Sequence, residues 1–142
     1  MNPIFVDSSV IVMAALEKGL TRAAERAVVT GSALVVSRLA LVEVARALDR
    51  ARAEKRVTDR DLVKVQASVE ELFGRCEIWE VSRLVCNAAA TIAPRSGLRT
   101  LDAIHLATFL TARKRLPTLR LLTSDSRMRE AAVALGFRVV PP

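Results

Sequence analysis

Short apolar runs alternate along the chain with longer amphipathic segments. The runs "IFV", "ALVVS", "CEIWEV", "LRLLTSD" and "FRVV" have the length and the β-branched content of strands. Between them, apolar residues recur at helical spacing, and capping residues stand near most segment ends. Strands that alternate with helices favour a parallel sheet covered on both faces. The pattern therefore predicts an α/β fold with a mostly parallel central sheet.

The helical segments have recognisable limits. The predicted helices are 9–18 with a stop at Gly19, 21–29, 38–55 with Ser37 as cap, 57–73 opened by Thr58 or Asp59, 83–93, 98–116 and 126–135 with Gly136 as C-cap. No linker, repeat or low-complexity stretch interrupts the pattern, so 1–142 is predicted to be a single domain. In such sheets, ligands bind beyond the carboxyl ends of the strands. A functional site is therefore expected to collect polar residues at that edge.

Composition and charge narrow the class of protein. Half of the residues are hydrophobic, 26% are charged and the formal net charge is +7, mostly from arginine. Arginine binds phosphate well, so nucleic acid is one predicted partner, although arginines also solvate helix faces and pair with Glu. No apolar run approaches the roughly 20 residues of a membrane span. Cys76 and Cys86 are expected to be free thiols in a reducing compartment, and a cytoplasmic location is expected.

Two aspartates directly follow predicted strands. Asp7 ends the first strand in "IFVDSS", and Asp125 ends a later one in "LLTSD". Each is followed by a helical segment, so each aspartate could simply cap a helix. The alternative interpretation is that the strand positions the carboxylate for function.

Two further acids interrupt apolar helical segments. Asp102 is predicted in mid-helix on the face of Leu98, Leu106 and Phe109, where an unpaired carboxylate is costly. A salt bridge or a metal could compensate it. Glu43 is the one acid in "LALVEVARAL", and an i,i+3 salt bridge to Arg46 is its structural alternative.

Together the four acids point to a metal site. If Asp7, Glu43, Asp102 and Asp125 meet at one edge of the sheet, their charges repel and raise some of the pKa values. A hard divalent cation removes that repulsion, and Mg²⁺ and Mn²⁺ favour carboxylate oxygen. Such a site fits metal-assisted hydrolysis of phosphodiester bonds.

The ordered motifs resemble those of a known family. The N-terminal "VDSS", the Glu on the helix after the second strand, "LDAIHLAT" and "LLTSD" are similar to the motifs of PIN-domain nucleases. The length resembles that of the VapC toxins of bacterial toxin–antitoxin pairs. The resemblance covers essentially the whole chain. It implies a Rossmann-like α/β/α sandwich and an endoribonuclease that depends on Mg²⁺, or on Mn²⁺ as a substitute.

The resemblance also implies roles and partners. The acids that match Asp7, Glu43, Asp102 and Asp125 form the metal and catalytic site of that family. Ser9 matches an assisting hydroxyl, and Thr123 would position the last acid. The family further implies a cognate antitoxin protein in the active-site groove, a homodimer, and structured RNA as substrate.

The roles of other residues near these motifs have more than one interpretation. His105 follows Asp102 by three residues and could ligate a metal or act as a base, but a packed or hydrogen-bonded histidine is the favoured interpretation. Arginines that could bind RNA phosphate, or could equally be solvated, are Arg46, Arg50, Arg95 and Arg99.

Two other function classes compete with a nuclease. One is a PIN-like RNA- or protein-binding module without significant nuclease activity. The other is a phosphatase-like or flavodoxin-like enzyme with Asp7 as nucleophile. Position 9 is Ser where the phosphatase pattern needs a second aspartate, and no Gly-rich loop follows the first strand. The nuclease is therefore the leading hypothesis.

Overall fold

The computed structural model describes residues 2–16, 21–31 and 33–141. Within these ranges the chain forms four strands and seven helices: β1 Pro3–Val6, α1 Ser8–Leu16, α2 Arg22–Thr30, β2 Ala33–Ser37, α3 Arg38–Ala53, α4 Asp59–Gly74, β3 Cys76–Trp79, α5 Arg83–Ala89, α6 Thr100–Arg113, β4 Arg120–Leu122 and α7 Ser126–Ala134. The predicted helix stop at Gly19 lies outside the described residues.

The four strands form one parallel sheet in the order β3-β2-β1-β4. The chain moves from β1 outward to β2 and β3, then returns through α5 and α6 to place β4 on the other side of β1. The order of the strands therefore reverses between β1 and β4, and sheets of this kind bind ligands at that switch point. The predicted parallel α/β fold is confirmed.

Alternate residues of the strands supply two hydrophobic cores. Ile4 and Val6 pack in one cluster with residues of α1, α2, α3 and α4. Phe5, between them, faces a second cluster built with α6 and α7, and its ring meets that of Phe109 edge-on at 5.7 Å. Side chains of a strand point alternately to the two faces, so a continuous apolar run can bury both faces of a sheet. The result is the predicted α/β/α sandwich.

Helix starts follow capping residues where the sequence provides them. Thr58 accepts a hydrogen bond from the backbone N–H of Asp61 and begins α4, and Ser37 does the same for Leu39 in α3. At the end of α7, Gly136 adopts a φ of +82°, a left-handed conformation that favours glycine. The two predicted helix starts are confirmed, whereas α7 ends one residue earlier than predicted, with Leu135 as its C-cap and Gly136 directly after it.

The predicted last strand, "FRVV", forms only a single parallel bridge, between Val139 and Leu121. The amide of Leu121 donates to the carbonyl of Arg138, and the amide of Val140 donates to the carbonyl of Leu121. Because β4 spans three residues, it offers a short edge for pairing.

Among the described residues, no helix has the length and hydrophobicity that crossing a bilayer requires.

Candidate active site

Asp7 lies at the carboxyl end of β1 and is 3% exposed. Its backbone N–H continues the ladder to β4 by donating to the Leu122 carbonyl at 2.9 Å. Its carboxylate Oδ2 accepts hydrogen bonds from Ser9 Oγ at 2.6 Å and from Thr123 Oγ1 at 2.8 Å. Hydroxyl groups from two segments thus fix the orientation of this carboxylate. The contact with Thr123, which lies 116 residues away in sequence, exceeds what a helix cap requires.

The same hydroxyls organise the loop after β4. Ser9 Oγ accepts from the backbone N–H of Ser124 at 3.2 Å, and Thr123 Oγ1 accepts from that of Asp125 at 3.0 Å. The guanidinium of Arg129 donates to the Thr123 carbonyl at 3.0 Å. Ser9 and Thr123 therefore connect the ends of β1 and β4. The support from Arg129 was not predicted.

Glu43 lies in the second turn of α3 and reaches the same edge of the sheet. Its Oε1 accepts a hydrogen bond from Ser8 Oγ at 3.1 Å and is also hydrogen-bonded to Nε2 of His105. Among the described residues, no salt bridge joins Glu43 to an arginine, so the alternative of a pair with Arg46 is not realised. Glu43 belongs to the site through Ser8 and His105.

His105 is buried between two acids. It is 1% exposed, and its Nδ1 lies 3.9 Å from Asp7 Oδ1 while Nε2 contacts Glu43. Burial lowers the pKa of His105, but the hydrogen bond to Glu43 and the surrounding acid charges outweigh burial and raise the pKa above 6.5 overall. The favoured interpretation of His105 as a packed, hydrogen-bonded residue is confirmed. Its position within the acid cluster was not predicted.

Asp102 lies in the first turn of α6, which begins at Thr100. The expectation of a mid-helix position was wrong, because Leu98 precedes the helix. Burial raises the pKa of the Asp102 carboxyl above its ordinary value of 3.8, and the negative charges of nearby acids, Asp125 foremost, raise it further. A backbone N–H of Arg99 and the charge of His105 oppose that rise. Within the described residues, no salt bridge compensates Asp102.

Asp125 is the N-cap of α7. Its Oδ1 accepts from the backbone N–H groups of Arg127 at 2.9 Å and of Met128 at 3.5 Å. The capping interpretation of Asp125 is therefore confirmed. It does not exclude a second role, because the carboxylate also faces the groove that Asp102 lines.

Three of the four acids line one groove of about 590 Å³, whose walls are Glu43, Arg99, Thr100, Leu101, Asp102, Asp125, Ser126 and Arg127. The first turns of α6 and α7 both open onto it, and helix N-termini attract anions. The groove thus presents carboxylates beside groups that favour a bound phosphate. Apart from its charge, nothing in the sequence indicated that Arg127 lines this groove.

The other predicted arginines are distributed unequally. Arg99 lines the acid groove, while Arg46 and Arg50 line a neighbouring groove of about 600 Å³ between α1 and α3. Glu43 and Leu101 border both grooves. Arg95 is exposed in the segment between α5 and α6 and lines neither groove.

The donors fit a hard divalent cation by their chemistry. Four carboxylates approach one edge of the sheet, and the charges of Asp125 and Asp7 add to burial in raising the pKa of Asp102. The buried Nδ1 of His105 has no hydrogen-bond partner among the described residues, which leaves an uncompensated polar atom beside Asp7. Across residues 2–16, 21–31 and 33–141, however, no three His, Cys, Asp or Glu side chains are arranged as a ready-made metal site.

Comparison with known proteins identifies the fold family. The profile of the PIN domain matches residues 4–134 of the chain. The chain therefore belongs to the PIN domain family.

One individual relative is similar to the chain over its whole length. Ribonuclease VapC46 of Mycobacterium tuberculosis is 36% identical over 143 residues, which cover 100% of this chain and 99% of that protein. The toxin-type interpretation made from the motifs is thus confirmed at the level of the family: this is a VapC-type PIN domain.

Two solved structures support the fold. VapBC2 from Rickettsia felis, bound to a DNA fragment from its promoter, matches with a TM-score of 0.66 at 10% identity and 96% coverage of each chain. DNA-bound VapBC from Salmonella typhimurium matches with a TM-score of 0.63 at 15% identity, over 98% of this chain and 97% of that one. At these identities the similarity is one of fold.

Proposed function

We propose that this protein is a metal-dependent endoribonuclease, the toxin of a type II toxin–antitoxin pair, and that it hydrolyses phosphodiester bonds of structured RNA. The observation that carries the proposal is the meeting of Asp7, Glu43, Asp102 and Asp125 at the switch point of the sheet, where burial and the charges of Asp125 and Asp7 raise the pKa of Asp102. The name of its relative, ribonuclease VapC46, supports the same activity.

The proposed cofactor is Mg²⁺, with Mn²⁺ as a substitute. Asp7, Glu43, Asp102 and Asp125 are the proposed ligands, directly or through water, because oxygen donors suit these cations. A bound cation of this kind activates water and stabilises the charge of the leaving oxygen. The proposal explains why four acids can share one edge although, in the described part of the chain, none of them forms a salt bridge with an arginine or a lysine.

Side chains around the acids would orient them and the substrate. Ser9 and Thr123 hold the Asp7 carboxylate, so its free oxygen has a fixed direction. Arg99 and Arg127 flank the acid groove and would bind RNA phosphates on either side of the scissile bond. The N-termini of α6 and α7 would add to that attraction.

Arginines outside the acid groove would have smaller parts. Arg46 and Arg50 lie one helical turn apart in the neighbouring groove, where they could contact RNA beyond the cleavage position. Arg95 lies away from both grooves, so it would contribute only to the general attraction of the +7 chain for RNA.

The proposed partners are a cognate antitoxin and a second copy of the chain, in the cytoplasm. The support is that two structural relatives are DNA-bound VapBC complexes and a third is a toxin–antitoxin complex from Klebsiella pneumoniae. The rival function is an RNA- or protein-binding module with the same fold. The intact set of four acids favours the nuclease.

Cleavage of total cellular RNA by purified, antitoxin-free protein tests the proposal. Parallel reactions contain Mg²⁺, Mn²⁺, excess EDTA, or the Asp102→Asn variant with metal. We expect discrete fragments only with metal and with Asp102, and a loss of at least about 100-fold in the variant, since a lost electrostatic contribution of about 2.7 kcal/mol lowers the rate by that factor. Cleavage that persists in EDTA and in Asp102→Asn contradicts the site. An intact RNA pool with a folded, metal-binding protein favours the binding module.

A further inference from the structure

His105 has a position in the site that the four acids alone do not explain. It is the single histidine of the chain, it is buried, and it contacts acids from two other elements, Glu43 of α3 and Asp7 at the end of β1. The site can be described as four acids, yet this imidazole lies between two of them. What it does there is a separate question from whether the acids bind metal.

The hydrogen bonds of Glu43 are concentrated on one carboxylate oxygen. Oε1 accepts from Ser8 Oγ at 3.1 Å and from Nε2 of His105, whereas no hydrogen bond to Oε2 is found in the described part of the chain. A carboxylate accepts only, so the nitrogen that faces it carries the hydrogen. Glu43 also borders the acid groove. The arrangement therefore directs one oxygen to the protein and leaves the other for the groove.

The same ring separates two like charges. The opposite nitrogen, Nδ1, lies 3.9 Å from Asp7 Oδ1, so the imidazole fills the space between the Asp7 and Glu43 carboxylates. Its own position is fixed, because neighbouring residues of α6, Leu106 and Phe109, are fully buried in the core. A ring anchored in this way can set the distance between the two acids.

From these contacts we propose that His105 is a positioning residue. It holds Glu43 through Oε1, leaves Oε2 for a cation that the groove would bind, and lies between the Glu43 and Asp7 carboxylates. Partners that hydrogen-bond to metal ligands commonly change metal affinity or activity 10- to 100-fold when they are substituted. The inference rests on the proposed function, since it concerns the same acids.

Two substitutions separate positioning from simple packing. In His105→Gln the amide nitrogen falls near the place of Nε2 and can still donate to Glu43. In His105→Asn it falls near the place of Nδ1, where it cannot reach Glu43. Calorimetric titration with Mn²⁺ is expected to give a dissociation constant within about threefold of wild type for His105→Gln. For His105→Asn we expect it to be roughly 10- to 100-fold weaker.

Ser8→Ala serves as a second variant on a different element. It removes the other hydrogen bond to Oε1 without changing the imidazole, and its effect on Mn²⁺ affinity should have the same sign and be smaller. Equal affinities for His105→Gln, His105→Asn and wild type would overturn the inference. So would affinities that fall in proportion to thermal stability in the absence of metal, because that is the signature of packing alone.

A measurement on the unaltered protein covers the case in which the variants do not fold. With one histidine in the chain, the imidazole ¹⁵N signals need no assignment by mutation. We expect Nε2 to stay protonated and hydrogen-bonded when Mg²⁺ saturates the protein. Loss of that hydrogen bond on binding Mg²⁺ would contradict positioning. If wild type neither binds metal nor cleaves RNA, the proposed function itself fails, which is a different outcome.

Discussion

The two pairs of acids at the site are held in different ways. The outer acids, Asp102 and Asp125, each lie at the start of a helix and contact backbone N–H groups within three residues. The inner acids, Asp7 and Glu43, also contact side chains that are distant in sequence, although Asp7 has a local partner in Ser9 as well. Thr123 is 116 residues from Asp7, and His105 is 62 residues from Glu43.

This difference gives the pairs different parts in the fold. The outer acids are fixed by the helices that they begin, so they form with local structure. The inner acids acquire their positions only when β1, α3, α6 and the segment after β4 have packed together. Only the inner half of the site therefore depends on tertiary packing, and substitutions in the two halves should have different effects on stability.

The sharpest test of that difference is a pair of matched substitutions. In Asp7→Asn, charge-assisted hydrogen bonds from Ser9 and Thr123 are weakened in a buried position, so the free energy of unfolding should fall by about 1–3 kcal/mol. In Asp102→Asn, repulsion from neighbouring acids is relieved, so the stability of the metal-free protein should be unchanged or higher. Urea unfolding of both variants and of the wild type without metal measures these changes in the free energy of unfolding.

The same two variants should behave alike once metal is added. Mg²⁺ stabilises the wild type by mass action if it binds the folded state alone, and both variants should lose that stabilisation. A large loss of stability in metal-free Asp102→Asn would mean that this carboxylate has a structural partner, and the division into inner and outer acids would be wrong.

A smaller effect is expected at the groove arginines. Arg127→Ala should weaken RNA binding roughly three- to tenfold at low salt and reduce the slope of log affinity against log salt by about one. The substitution leaves the hydrogen bond from the backbone N–H of Arg127 to Asp125 in place, so the free energy of unfolding should not change. Arg95→Ala, which removes the same charge outside both grooves, is the matched control. Equal losses in both variants would indicate a general charge effect.

The smallest effect concerns pH. The pKa of His105 is raised in the folded protein, so its contribution to stability is complete below pH 6.5 and is lost as pH rises through the folded pKa. The free energy of unfolding of the metal-free wild type should therefore decline above pH 6.5 more steeply than that of His105→Gln. Urea titrations in steps of half a pH unit compare the two. Parallel curves would show that the acids around His105 do not stabilise its charged form.

The sequence was informative where the determining contacts are local. Thr58 and Ser37 marked helix starts because their hydroxyls can accept backbone N–H groups a few residues away, and the apolar runs marked β1 and β2. The start of α6 was misplaced because its N-cap, Arg99, makes no side-chain capping bond. That error moved Asp102 from the first turn to an apparent mid-helix position.

Long-range contacts could not be predicted in the same way. "DSS" suggested a polar strand end, and the family resemblance suggested roles for Ser9 and Thr123. No spacing in the chain relates Ser8 to Glu43, 35 residues away, or Glu43 to His105. Helical periodicity gives the face on which His105 lies but not the residue that this face meets. Those pairings depend on how α1, α3 and α6 pack around the sheet.

The central claim is that Asp7, Glu43, Asp102 and Asp125 share a divalent cation. Anomalous diffraction from crystals soaked in Mn²⁺ tests it most directly. We expect a peak in the acid groove, at roughly 2.0–2.3 Å from carboxylate oxygens of at least one inner and one outer acid. A peak that is linked to these oxygens through bound water would agree with the proposal as well. A peak bound elsewhere, or no peak in crystals of protein that cleaves RNA in the same buffer, would contradict it.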